Sequence, residues 1–169
     1  LLALRDLAIE VAPTLFAATL RSGDRFRLFG GGFGLGGCAG KPPRLEGRVV
    51  GAASLNPSVS RRPSPLMLRV YELRSATLFM QLDFMALFQR DQAELAADLL
   101  SREEFMLAPG ETRPWGRALH KDTRHLGVLA VFRDLEKARW RAVAPVRPGQ
   151  PQKVLIRADE LAVSVETGA

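Results

Sequence analysis

Cysteine, histidine and long apolar runs are all scarce in this chain. One Cys in 169 residues excludes an intramolecular disulfide, and two His leave too few soft ligands for a zinc site of the usual four-ligand kind. No cofactor and no metal are therefore expected. The longest uncharged stretch, Leu28 to Gly40, has 13 residues, about half of them glycine. A bilayer-spanning helix needs roughly 20 apolar residues. Blocks of five or more like charges are also missing. The 24 Lys+Arg comprise four Lys and 20 Arg scattered singly or in pairs, so a net charge of +6 does not indicate a nucleic-acid surface. What is present, 47% hydrophobic and 25% charged residues, suffices for one buried core with a tail.

The first forty residues differ from the rest. The chain starts at Leu1 and its first Met is Met67, so a fragment or a mis-assigned start is expected, and residues 1–37 read as a signal-like or mis-annotated segment. Arg21, Arg25 and Arg27 precede the uncharged stretch, and small residues Gly36 and Gly37 precede Cys38. Basic, apolar, small, cysteine is the order of a lipobox, in which a thiol takes a diacylglycerol. On the residues alone, lipidation of Cys38 and an incidental cysteine in a loop both stand. The glycine pattern Gly32-Phe33-Gly34-Leu35-Gly36-Gly37 matches a dinucleotide fingerprint, but Pro42-Pro43 forbid the helix that motif must open, and no acid stands 20 residues on. Residues 38–44 then make a Pro-rich spacer, and a domain over 45–169 follows.

Inside that domain the pattern is one of strands. Leu45 to Ser54 is bounded by prolines, and Leu66 to Leu73 alternates, with Leu66, Leu68 and Val70 on one face and Met67, Arg69 and Tyr71 on the other. Asn56 to Pro65, with three Pro and three Ser, predicts an exposed loop. Ser75 as N-cap and the stripe Leu78, Phe79, Leu82, Met85, Phe88 predict one helix, with a short further turn in Asp91 to Leu99. Leu100 to Leu107, a Pro109-Gly110 type II turn and Thr112 to Leu119 read as strand, turn, strand. His125 to Phe132 reads as a strand buried on both faces, followed by Ala138 to Val146, a seventh strand at Val154 and Ile156, and an eighth at Leu161, Val163 and Val165. A mainly β, two-layer sandwich of about eight strands with a helical insertion after the second strand is expected.

Catalytic groups are hard to assemble. His120 and His125 are five residues apart across a loop-to-strand junction, and no Ser lies in a G-x-S-x-G elbow. Glu103 and Glu104, adjacent on a strand, point to opposite faces and cannot cooperate. Arg139-Trp140-Arg141 could stack on bases, but strand alternation puts Trp140 in the core and both Arg on the other face. No enzyme is expected.

Several stretches resemble one family in series: Leu55-Asn56-Pro57, Arg62-Pro63-Ser64-Pro65 and Leu68-Arg69-Val70-Tyr71-Glu72-Leu73; then Asp83-Phe84-Met85-Ala86-Leu87-Phe88; then Arg102-Glu103-Glu104 leading to Pro109-Gly110-Glu111; then Leu126-Gly127-Val128 through Ala130-Val131-Phe132-Arg133-Asp134 to Trp140-Arg141. Together they are similar to the TssJ (VasD-type) outer-membrane lipoproteins of bacterial type VI secretion, over Leu45 to about Val165. The resemblance implies a transthyretin-like β-sandwich tethered by an acylated cysteine, here Cys38, on the periplasmic face of the outer membrane. It implies a grip on the periplasmic domain of the inner-membrane TssM component. The family's loop between the first two strands corresponds to Asn56, Pro57, Ser58, Val59, Ser60, Arg61, Arg62, Pro63, Ser64 and Pro65. Upstream of Cys38 the chain departs from the family's hydrophobic signal. A periplasmic ligand- or carbohydrate-binding β-sandwich using the Trp140 region is the alternative expectation.

Overall fold

Strand alternation and two apolar surfaces account for the architecture of the computed structural model, which describes residues 42–168. Cys38 and the signal-like segment lie outside the described residues. The strands are β1 (Arg44–Gly51), β2 (Leu66–Leu73), β3 (Leu99–Leu107), β4 (Thr112–Ala118), β5 (His125–Val131), β6 (Arg141–Pro145), β7 (Pro151–Ala158) and β8 (Val163–Gly168). They form two four-stranded sheets, ordered β4-β1-β7-β8 and β3-β2-β5-β6. All pairings are antiparallel except β1 with β7.

The two faces expected of β2 are both used. Leu66, Leu68 and Val70 join Leu45, Val49, Leu126, Val128 and Ile156 between the sheets. Burying each such side chain contributes about 1.5–3 kcal/mol. The opposite face of the same sheet is apolar too, which explains why β5 is buried on both sides. Tyr71, Leu73 and Leu129 there pack under Phe79, Leu87 and Leu95 of the helical insertion.

That insertion is not one helix over Ser75 to Phe88. It is α1 (Thr77–Gln81) and α2 (Phe84–Leu95), followed by a 3₁₀ turn, Ala96–Asp98. Leu82 is extended, and the Asp83 side chain accepts from Ala86 N–H at 2.8 Å to start a new helix. Ser75 is not the cap expected of it: α1 starts behind Ala76 with no side-chain cap, and Ser75 Oγ, one residue earlier, accepts from Thr77 N–H. A buried polar latch holds α2 down: Arg69 donates to Glu104 at 2.7 Å and to Asp91 at 3.1 Å, and Asp91 also accepts from Tyr71 and Arg102. Glu103 points the other way, accepting from the Trp115 indole, as strand alternation requires.

The Pro109-Gly110 turn has the predicted type II chemistry, with Gly110 at φ 75° and Glu111 N–H donating to Ala108 C=O. Its flanking strands do not pair, however. β3 joins β2 and β4 joins β1, so the turn carries the chain from one sheet to the other. Trp140 and Arg141 also depart from expectation. β6 begins after Trp140, which lies half-buried and edge-on to Phe84, with the Arg141 guanidinium over its ring at 4.7 Å. Arg141 is no solvent-facing side chain, since it donates to Phe79 C=O and Leu82 C=O at the end of α1.

Candidate partner-binding site

The strand directions gather four connections at one end of the sandwich: β1 to β2, β3 to β4, β5 to β6, and β7 to β8. Backbone bonds tie them together there, from Gly51 to Glu111, Gly110 to Ala52 and Asn56 to Glu160. The chain enters β1 at the opposite end, where Leu119 N–H donates to Pro43 C=O.

The loop Asn56 to Pro65 is not exposed throughout, as its composition predicts. Asn56 and Ser64 are buried. Asn56 adopts φ 47°, a left-handed conformation that Asn tolerates better than most residues. Its Nδ2 donates to Pro65 C=O and its Oδ1 accepts from Arg133 N–H, both at 2.9 Å. Ser64 N–H returns to Leu55 C=O, closing the loop at its neck.

The tip is organised by Ser58. Its N–H donates to Arg62 C=O, its C=O accepts from Arg61 N–H, and its Oγ accepts from Arg62 N–H. Arg61 sits at φ 58° to complete the turn. Val59 is thereby held fully in solvent, with 107% relative exposure, beside exposed Ser60, Arg61, Arg62 and Pro63. A preformed turn with an apolar residue at its apex loses little conformational entropy on docking.

Beside this loop runs an open cleft of about 860 Å³, whose other walls are Arg133 to Lys137 and Glu160-Leu161. Asp134 accepts from Lys137 Nζ at 3.0 Å and from Lys137 N–H. The side-chain bond from Lys137 holds the Asp134 carboxyl below its ordinary range and raises the ammonium in return. These walls escaped the sequence reading. The one local signal was Asp134 with Lys137 three residues on, the spacing of a turn stabilised by its own charges.

The remaining sequence candidates are dispersed. His120 is exposed, its Nδ1 accepting from Asp122 N–H, while His125 lies on β5 with Nδ1 buried and unpartnered. Among the described residues no three His, Cys, Asp or Glu converge as a metal site requires, and no helix is long and apolar enough to cross a membrane.

With this geometry in hand, three comparisons bear on the chain. Residues 43–161 match the family model described as type VI secretion lipoprotein, VasD, EvfM, TssJ. The crystal structure of the type VI lipoprotein TssJ1 from Pseudomonas aeruginosa is 37% identical with a TM-score of 0.73, covering 76% of this chain and 98% of that one. Serratia marcescens Lip, a membrane-bound component of the type VI secretion system, is 25% identical with a TM-score of 0.66, covering 73% and 96%. A chain in the structure described as the TssM C-terminal domain from EAEC shares the fold at 23% identity and a TM-score of 0.59, covering 73% and 97%. No protein among the curated sequences matches.

Proposed function

This chain belongs to the type VI secretion lipoprotein family of VasD, EvfM and TssJ, and on that premise we propose that it moors the type VI membrane complex to the outer membrane from the periplasmic side. In this reading a lipid on Cys38 holds the domain to the bilayer. The loop Asn56 to Pro65 grips the periplasmic domain of TssM, and the protein performs no chemistry.

The observation that carries the proposal is the opposition of the two ends. β1 runs its eight residues from the spacer to the loop, a rise of about 26 Å at roughly 3.3 Å per residue. A domain tethered through the start of β1 presents its loop away from the bilayer, toward an inner-membrane partner. Several acyl chains are needed for durable anchoring, because one gives only marginal binding while each buried CH₂ contributes about 0.8 kcal/mol.

Fatty-acid labelling of the full chain in cells tests the tether, with label expected on the unaltered chain and absent from Cys38→Ala. Label persisting in the variant removes the anchor from Cys38. Titration against a TssM periplasmic fragment tests the grip. Arg62→Glu should weaken binding while leaving the fold intact, and unchanged affinity on altering the exposed tip would place the grip elsewhere.

A further inference from the structure

We propose that the end of the sandwich at which the chain emerges is itself a membrane-contacting face, taking anionic phospholipid headgroups through Lys121, Arg124 and Arg147; the orientation rests on the reading that Cys38 carries the lipid. All three side chains are exposed, and among the described residues none has a carboxylate within 4.0 Å. Arg74, in the connection that follows β2, differs in being paired with Asp122 at 3.2 Å.

The three cations come from two connections that the fold locks side by side. Val146 N–H donates to Arg124 C=O at 2.7 Å, which sets Arg147 next to Arg124, and Arg124 Nη1 donates to Lys121 C=O at 3.0 Å. Buried groups fix both turns from below. The Glu72 carboxylate accepts from His120 N–H at 2.7 Å, from Thr123 Oγ1 at 3.0 Å and from Arg117. The buried Gln152 amide accepts from Arg147 N–H and donates to Arg147 C=O. The cations are therefore held on a rigid platform.

The tether length supplies the occupant. Three residues separate Cys38 from Pro42, so over the four chain steps a lipidated Cys38 lies at most about 14 Å along the chain from the folded domain. That reach is comparable with the screening length of ~8–10 Å at physiological salt, so charges on this face act on the headgroups. Each basic residue held against an anionic leaflet contributes about a fivefold factor in partition, which is ~1 kcal/mol. The loop end lacks this character, because Glu136, Asp159 and Glu160 stand among Arg61, Arg62 and Arg133 there. Carrying lipid at one point, the domain would otherwise swivel freely. A second, electrostatic contact at the same end holds the loop upright.

The test is co-sedimentation of the full chain carrying Cys38→Ala, so that no acyl group contributes, with phosphatidylcholine vesicles made with and without phosphatidylglycerol. The expected result is partition onto the anionic vesicles only, falling as salt is raised. Lys121→Glu, Arg124→Glu and Arg147→Glu together should reduce it by a hundredfold or so, while Arg61→Glu with Arg62→Glu leaves it unchanged. Equal binding to both vesicle types, or anionic binding that survives the triple change, overturns the proposal. Should the triple variant fail to fold, the salt series on the parent chain decides, and salt-insensitive partition overturns it. Because no lipidated protein is used, a negative fatty-acid label on the unaltered chain would refute the Cys38 anchor without altering this result.

Discussion

Asn56 holds the backbone of Arg133, 77 residues away in sequence, through an Oδ1 that accepts its N–H at 2.9 Å. With its Nδ2 donating to Pro65 C=O, one buried side chain fastens both the neck of the loop and the wall of the neighbouring cleft. Asn56→Ala strands both backbone groups and puts a less tolerant residue at φ 47°. A buried polar group left unsatisfied costs about 1–3 kcal/mol, so an overall loss of roughly 2–4 kcal/mol is expected. Urea denaturation should show it, and Asn56→Asp, which keeps the acceptor, should lose less. A midpoint indifferent to Asn56→Ala would mean these bonds contribute nothing net.

The same residue shows where sequence reasoning stopped. Composition marks Asn56 to Pro65 as a loop, which is right, but composition weighs residues and not their partners. Two of the partners of Asn56, Arg133 and Glu160, lie on connections far along the chain. Strand β2 was legible because alternation is local and both of its faces are used. The helical insertion was only half legible. Leu78, Leu82, Met85 and Phe88 keep helical spacing across the break at Leu82-Asp83, which hides the kink, but Leu78 and Met85 are exposed and the residues that pack from α1 and α2 are Phe79, Leu82, Phe84, Leu87 and Leu95. The Asp83 cap was visible three residues before Ala86, yet the earlier Ser75 claimed the helix start. Likewise Pro109-Gly110 reports a turn, but a turn does not say whether its strands share a sheet.

Gly47 is exposed, and conventional expectation would let alanine in. A Cβ there would lie 1.7 Å from Val154 C=O and 2.9 Å from Val154 Cγ1, across the parallel pairing of β1 and β7. The two strands must separate to admit it, so Gly47→Ala is expected to destabilise by about 2–3 kcal/mol. Gly168→Ala, where the added atom meets nothing within 4 Å, serves as the neutral control. Equal unfolding midpoints for the two variants would contradict the register.

Tyr71 is the one tyrosine of the chain, so phenolate absorbance reports on it alone. Burial, more than its neighbours, pushes its phenol well above the ordinary value of 10.0. The folded state keeps the proton while the unfolded chain releases it above about pH 10, and stability contributed by the neutral phenol falls as pH rises past that point. Alkaline titration should therefore show the phenolate band appearing together with loss of far-ultraviolet dichroism. A phenolate band rising near pH 10 with the dichroism intact would show the hydroxyl to be accessible, against its place beneath α2 beside Arg69 and Asp91.

Val59 separates the fold from its use. The side chain is wholly in solvent at the apex of a turn whose hydrogen bonds all run through Ser58, so it supports no other part of the molecule. Val59→Ser should leave the urea midpoint within about 0.5 kcal/mol of the parent, as surface changes away from special features do. If the tip is the part of the loop that TssM covers, the valine is buried on docking. Losing about 1.5–3 kcal/mol of apolar burial weakens the complex by roughly 10- to 100-fold. Asn56→Ala is expected to move stability and affinity together, whereas Val59→Ser moves affinity alone. Calorimetric titration of both variants with the TssM fragment distinguishes a contact residue from a brace. Full affinity in Val59→Ser would take the apex out of the interface and leave the cleft between the loop and Arg133 to Lys137 as the surface to alter next.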